Sequence, residues 1–259
     1  MRGAPTPDHL RGSGYMPEHR TDRAHPERDA RLTRLSMPAG LFAVLVVALL
    51  ASAGVGGRCY VRGDFDVIHA VLSLFFSTNL LICYWEACLF LKRDYIETRA
   101  GYWRERRDET GKTPALEFLL TRVPLTKTLS PTLWADVWAT YAQFDDSYAD
   151  RRTYGFNVDI ANGFATPLPT LILYAAYTFD ILPALASGII GVMLFWQLTY
   201  MTSVYLVSFF VADRQARISR GEMYIYILAM NSPWILCPLL GLYVSVRLIL
   251  DGDYSVLGY

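Results

Sequence analysis

Histidine and cysteine are scarce in this chain. Of its 259 residues only four are His, and His9, His19 and His25 all fall near the N-terminus. That leaves His69 alone in the rest of the sequence, which excludes an HExxH site or a cluster of His ligands. Cys59, Cys83, Cys88 and Cys237 show no metal-ligand spacing. A Cys83–Cys88 disulfide along one helix is disfavoured, because i and i+5 do not share a face. No glycine-rich phosphate loop, Ser-His-Asp signature, haem motif or internal repeat is present. The 24 basic and 24 acidic residues cancel, leaving no basic excess for nucleic acid. The expectation is therefore a protein with no cofactor, no metal and no nucleic-acid partner.

Charge is also missing from five long stretches: Ser36–Gly57, Val67–Trp85, Ile160–Phe179, Ile181–Ala212 and Met223–Val246. About 20 apolar residues cross a bilayer as a helix, so these runs predict five spans in an all-α integral membrane protein. Asp180 and Pro183 separate the third and fourth runs and predict a tight surface turn. Gly188 and Gly191 predict close helix approach early in the fourth span. Residues 36–93 would hold the first two spans, 94–155 a cytoplasmic segment, and 156–251 the last three.

Lys and Arg set the orientation. The tail before the first span carries 7 Arg, the segment after the second carries 11 basic residues, and Arg214, Arg217 and Arg220 follow the fourth. Only Arg58, Arg62 and Arg247 fall on the other side. The N-terminus is thus expected in the cytoplasm and the C-terminus opposite. Residues 1–35 are polar, lack a small-residue cleavage site, and read as a disordered tail rather than a secretory signal.

Within the cytoplasmic segment, Arg99–Thr113 is charged enough to be a solvated helix or loop. Ser130-Pro131 then opens a helix over about 131–146. Leu133, Trp134, Val137, Trp138, Tyr141 and Phe144 form an aromatic stripe along it. Such a stripe suits a helix lying at headgroup level or one packed on the mouth of the bundle; the two placements are compatible.

Polar residues inside the spans carry the functional signal, since charge at that depth is costly unless buried or wetted. At 1.5 Å per residue, Glu86 lies about 8 Å inside the cytoplasmic end of the second span, Asp159 about 5 Å inside the third, and Asn231 about 12 Å inside the fifth. Asn162 is one turn beyond Asp159, and Trp234 one turn beyond Asn231. The fourth span adds Gln197, Tyr200, Thr202 and Tyr205. Four helices thus bring polar groups to the same half of the membrane. Each has a structural alternative: Asp159 as a first-turn carboxylate favoured by the helix dipole, Glu86 snorkelling or ion-paired, Asn231 bonding between helices.

The pattern Tyr141-Ala142-x-x-Asp145-x-x-Tyr148, then Asp159, then Pro167-Leu168, resembles the emopamil-binding protein family, which has an EXPERA-type membrane domain. Tyr200 and Tyr205 match its next motif, and Met230-Asn231-x-x-Trp234-x-x-x-Pro238 its last helix. The resemblance covers about residues 138–250, and Glu86 falls where the family has a second-span glutamate. The family includes sterol C8–C7 isomerases and the sigma-2 receptor. Here Ile82 replaces the isomerases' histidine, Asp159 their third-span glutamate, Thr202 a fourth-span acid and Ser147 an arginine. The loop between Glu86 and Trp138 is longer than usual for the family.

The resemblance implies a sterol or related polycyclic lipid as partner and double-bond migration through a carbocation. Glu86 and Asp159 would be the acid/base pair, with Asn231 orienting one carboxylate. Trp234 would offer its π face to the cation. Tyr200 or Tyr205 would relay protons or position the substrate, beside Asn162, Tyr148 and Asp145 in the pocket. Low-dielectric burial and a neighbouring carboxylate both favour a neutral acid, as protonation of an alkene requires. The alternative is a non-catalytic binder of sterols or amphiphilic amines. A homodimer, and either the endoplasmic reticulum or a bacterial plasma membrane as host, are compatible with the sequence.

Overall fold

The computed structural model describes residues 35–258; the tail expected to be disordered lies outside them, except for Leu35. Among the described residues, four helices are long and apolar enough to cross a membrane: α1 (Ala39–Arg62), α2 (Val67–Leu91), α8 (Ala184–Val211), and the helical stretch Arg220–Asp251, whose last part is α9 (Pro233–Asp251). Their outward faces carry large apolar side chains such as Val44, Leu49, Met193, Val207, Leu236 and Leu250. Exposed apolar surface on this scale marks contact with lipid rather than water. The chain is accordingly an α-helical, multi-pass membrane protein.

The stretch expected as the third span is two shorter helices, α6 (Tyr154–Ala165) and α7 (Pro167–Phe179). Pro167 supplies no N–H and ends the helix before it. Thr166 bridges the break: its N–H and its hydroxyl both donate to the Asn162 carbonyl (2.9 Å each), and its own carbonyl accepts from Thr170. Asp180 caps α7 in the left-handed region (φ 52°) and Pro183 opens α8, which is the turn expected there. Gly188 brings α8 against α9: a Cβ at that position would lie 2.7 Å from the Ser245 carbonyl oxygen.

The last apolar run also divides. Met223–Ala229 is π-helical and α9 starts at Pro233. Pro233 cannot bond to the Ala229 carbonyl, and the Ser232 hydroxyl takes it instead at 2.8 Å. The widened turn leaves the Tyr226 carbonyl to accept from Tyr141 at 3.2 Å.

Between α2 and α6 the chain builds a cap on one end of the bundle. It comprises α3 (Arg93–Thr110), α4 (Pro114–Leu120), β2 (Arg122–Pro124), α5 (Pro131–Tyr141) and a 3-10 turn over Asp146–Ala149. The charged α3 agrees with the solvated helix expected around Arg99–Thr113. The two-stranded pairing of β1 (Ser36–Pro38) with β2 was not expected in an all-α chain; it ties the cap to the start of α1.

The helix expected over 131–146 ends at Tyr141, and its aromatic stripe is turned inward. Trp134 and Trp138 are buried, stacked on Trp85 and Tyr148 respectively. Their indole N–H groups donate to the carbonyls of Thr128 (2.6 Å) and Trp85 (2.7 Å). Buried indoles need such partners, so α5 packs on the bundle mouth and these two rings face protein. The core has a cap-side cluster around Trp134, Leu89, Ile96 and Phe156, and a far-side cluster around Leu72, Phe76, Leu173, Phe195 and Leu248.

Candidate functional site

Helix α6 crosses α2 very closely at Gly163. A Cβ on that residue would fall 2.6 Å from the Glu86 Cβ and 3.0 Å from the Ala87 nitrogen. Only a glycine permits this approach. Asp159 lies one turn before Gly163 on the same helix face, so the contact that buries Glu86 also delivers Asp159 to it. Asp159 is near enough to Glu86 for the two carboxyl groups to influence each other's ionisation. Glu86 is 5% exposed, and among the described residues neither carboxylate has a cationic partner.

Tyr148 reaches this pair from the cap, its hydroxyl donating to Asp159 Oδ2 at 2.7 Å. The ring is buried between Trp138, Tyr141 and Tyr205. Burial and then the Asp159 charge hold the Tyr148 hydroxyl well above the usual phenol range. It therefore remains a proton donor at any physiological pH. Glu86 has no hydrogen-bond donor among the described residues, so the two carboxyls sit in different surroundings.

A second chain of hydrogen bonds runs beside the first. Asn231 Nδ2 donates to the Tyr141 hydroxyl (3.2 Å), which meets the Tyr205 hydroxyl (3.3 Å), which donates to Asp145 Oδ2 (2.8 Å). Asp145 in turn accepts from Arg214 Nη1 at 2.6 and 2.8 Å and from the Ser147 backbone N–H at 3.0 Å. A fully buried carboxylate needs such a counter-ion, and this one locks the cap to the end of α8. A third set occupies the middle of the bundle. Trp234 Nε1 donates to Asn79 Oδ1 (3.1 Å), Asn79 Nδ2 to Thr170 Oγ1 (3.1 Å), and Cys83 Sγ meets Thr166 Oγ1 (3.1 Å).

Glu86, Asp159 and Tyr148 are thus brought together. Asn162, one turn from Asp159, accepts from Gln197 of α8 at 3.2 Å. Five other expected site residues make contacts different from those expected. Asn231 bonds Tyr141 and the Ile227 carbonyl (2.7 Å), not a carboxylate, because the π turn aims it toward the cap. Asp145 is consumed by its ion pair and is not open to a substrate. Tyr205 serves that same ion pair. Tyr200 is 53% exposed and stacks on Trp196 along the outer face of α8; five residues on, Tyr205 is turned about 140° away, toward the interior. Trp234 joins the far-side cluster: on the helix of Glu86 it meets Phe75 edge-on and donates to Asn79, both remote from the carboxyl pair.

Several participants escaped the sequence reading. Asn79 lies seven residues before Glu86, two turns up the same face, so its position was a readable signal. Arg214 was read only as a charge setting orientation, and no spacing links it to Asp145. Comparison with protein-family models, curated proteins and solved structures finds no match for this chain.

Proposed function

We propose that the chain is a five-span membrane enzyme that shifts a double bond in a sterol or related polycyclic lipid. In this reading α6 and α7 together form the third span. The N-terminus and the cap face the cytoplasm, and the C-terminus faces the opposite side. The observation that carries the reading is the Glu86–Asp159 pair. Glu86 is buried where α6 crosses α2 at Gly163, Asp159 lies one turn away along α6, neither has a cationic partner among the described residues, and one fixed donor, Tyr148, sits on Asp159. Like-charged neighbours disfavour double ionisation, so one group holds a proton while the other accepts one.

The donor from Tyr148 favours the ionised form of Asp159 over that of Glu86. Glu86 is therefore assigned as the acid and Asp159 as the base. The Glu86 proton adds to one alkene carbon and leaves a tertiary carbocation. Asp159 removes a proton from the carbon on its other side, and the new double bond forms. The proton then returns from Asp159 to Glu86 before the next turnover. No electron acceptor is consumed, and every step is within general acid–base chemistry.

The test is conversion of a C8-unsaturated sterol by protein reconstituted in lipid, read as C7-unsaturated product by gas chromatography and mass spectrometry. Product from the wild type and none from Glu86→Gln supports the assignment. Saturable sterol binding without product, unchanged by Glu86→Gln, refutes it. Ile82 favours the second reading, a non-catalytic binder of sterols or amphiphilic amines: it places an apolar side chain one turn before Glu86, where the isomerases have an imidazole. Under that reading, Asp159→Asn weakens binding of a protonated amine and no product forms with any sterol.

A further inference from the structure

The aromatic stripe of α5 is buried in the protein, yet another part of the cap presents the surface an interfacial element needs. Helix α4 packs against the first turn of α1: a Cβ at Gly40 would meet Leu119 Cβ at 3.2 Å. Pairing of β1 with β2 holds the following residues at the same level. On the other flank the Tyr84 hydroxyl donates to the Leu129 carbonyl at 2.7 Å. Tyr84 is seven residues from the end of α2 at Leu91, so its backbone is about 10 Å inside that end. Residues 114–129 are therefore pinned beside two spanning helices at the depth of the bilayer boundary.

Their outward face has two parts. Leu116, Leu120 and Leu129 are 56, 63 and 75% exposed, and a groove of about 570 Å³ runs along α4 between Lys112 and Thr121. Lys112 lines that groove, and Arg122 and Lys127, which follow α4 in the same segment, are exposed as Lys112 is. The only acid between residues 112 and 129, Glu117, is neutralised by Arg106 through bonds of 2.6 and 2.8 Å. Leucines at hydrocarbon depth under a row of uncompensated cations match the two layers of an anionic leaflet. We propose that residues 112–129 form a foot seated in the membrane, whose basic rim binds the phosphate headgroups of anionic phospholipids. The inference rests on the membrane-spanning reading of the chain, not on the isomerase assignment.

Site-directed spin labelling tests the seating. Labels are placed at Leu116→Cys and Leu120→Cys, with Leu49→Cys on α1 as a reference, in a chain whose partly exposed Cys59 and Cys237 are replaced by Ala. In phosphatidylcholine–phosphatidylglycerol vesicles, labels at Leu116 and Leu120 should collide with oxygen in preference to a water-soluble nickel chelate, as the Leu49 label does. Chelate-accessible labels at Leu116 and Leu120 beside an embedded Leu49 overturn the foot. A chelate-accessible Leu49 label overturns the membrane reading beneath it. Labels at Leu116 and Leu120 shielded from both probes point to a protein occupant and also refute the proposal.

Native mass spectrometry of protein released from the same vesicles tests the headgroups. Each basic residue near an anionic surface contributes about fivefold, so Lys112→Gln, Arg122→Gln and Lys127→Gln together should reduce phosphatidylglycerol retention roughly tenfold or more and leave phosphatidylcholine unchanged. Equal retention of phosphatidylglycerol by wild type and triple variant removes the headgroup assignment.

Discussion

Replacing Gly163 with Ala perturbs the contact on which the proposed acid–base pair depends. The added methyl would sit 2.6 Å from Glu86 Cβ, 3.0 Å from the Ala87 nitrogen and 3.1 Å from the Cys83 oxygen. Carbon atoms pack at about 3.5–4.0 Å, so α6 must withdraw from α2 by about 1 Å. Two of the three neighbours are backbone atoms of a spanning helix and cannot rotate aside. Overpacking of this kind costs about 1–3 kcal/mol, or an apparent Tm lower by about 3–8 °C for a chain of this size. Activity should suffer more, because a displacement near 1 Å between reacting groups lowers turnover about a hundredfold.

Gly101→Ala is the matched control. It lies within α3, where nothing stands within 4 Å of the methyl group that alanine would add, and Ala should stabilise that helix by about 0.5–1 kcal/mol. Thermal unfolding in detergent and sterol turnover are measured for both. Gly163→Ala with wild-type Tm and wild-type turnover would refute the close α2–α6 crossing and with it the geometry of the pair.

Three further substitutions probe the rest of the site. Tyr148→Phe removes the 2.7 Å bond to Asp159; a bond to a charged group is worth about 1.5–3 kcal/mol, so kcat should fall roughly ten- to a hundredfold, with the pH profile displaced and sterol affinity retained. An unchanged pH profile would contradict the link. Arg214→Gln strands the Asp145 carboxylate in the core, at a cost of about 3–5 kcal/mol; Asp145→Asn in the same chain should recover much of the lost Tm, and no recovery would mean that the pair is not the reason. Trp234→Phe leaves Asn79 Oδ1 without its donor, a loss of about 1–3 kcal/mol visible in unfolding, with turnover reduced far less than by Tyr148→Phe. Equal losses of turnover would place Trp234 in the reacting pocket.

The spans were legible because their signal is local. Length, apolarity and missing charge locate α1, α2 and α8 to within about six residues at their ends, and the Asp180–Pro183 turn follows from two residues that end and restart helices. Ser130-Pro131 marked the start of α5 correctly for the same reason. The break at Thr166 and the π turn at Met223–Ala229 were not foreseen, although Pro167 and Pro233 stand beside them. A proline announces a lost hydrogen bond but not how neighbouring side chains take over the orphaned carbonyl. At the site, helical rise put Glu86 and Asp159 near the same end of their helices, and the close α2–α6 crossing at Gly163 was not readable. Rotation about each helix axis is decided by packing, which is why Tyr200 faces outward and Asn231 turns to Tyr141. The ion pair of Asp145 with Arg214 joins residues 69 apart across a connection whose path no local pattern encodes.

In the proposed reaction Glu86 delivers a solvent-derived proton to an apolar substrate and Asp159 removes another. Single-turnover conversion of a C8-unsaturated sterol in D2O tests it most directly, with deuterium in the product read by mass spectrometry. Wild type should give one carbon-bound deuteron per C7-unsaturated product, with no product from Glu86→Gln and none from Asp159→Asn. Product of the same deuterium content from either variant would contradict it.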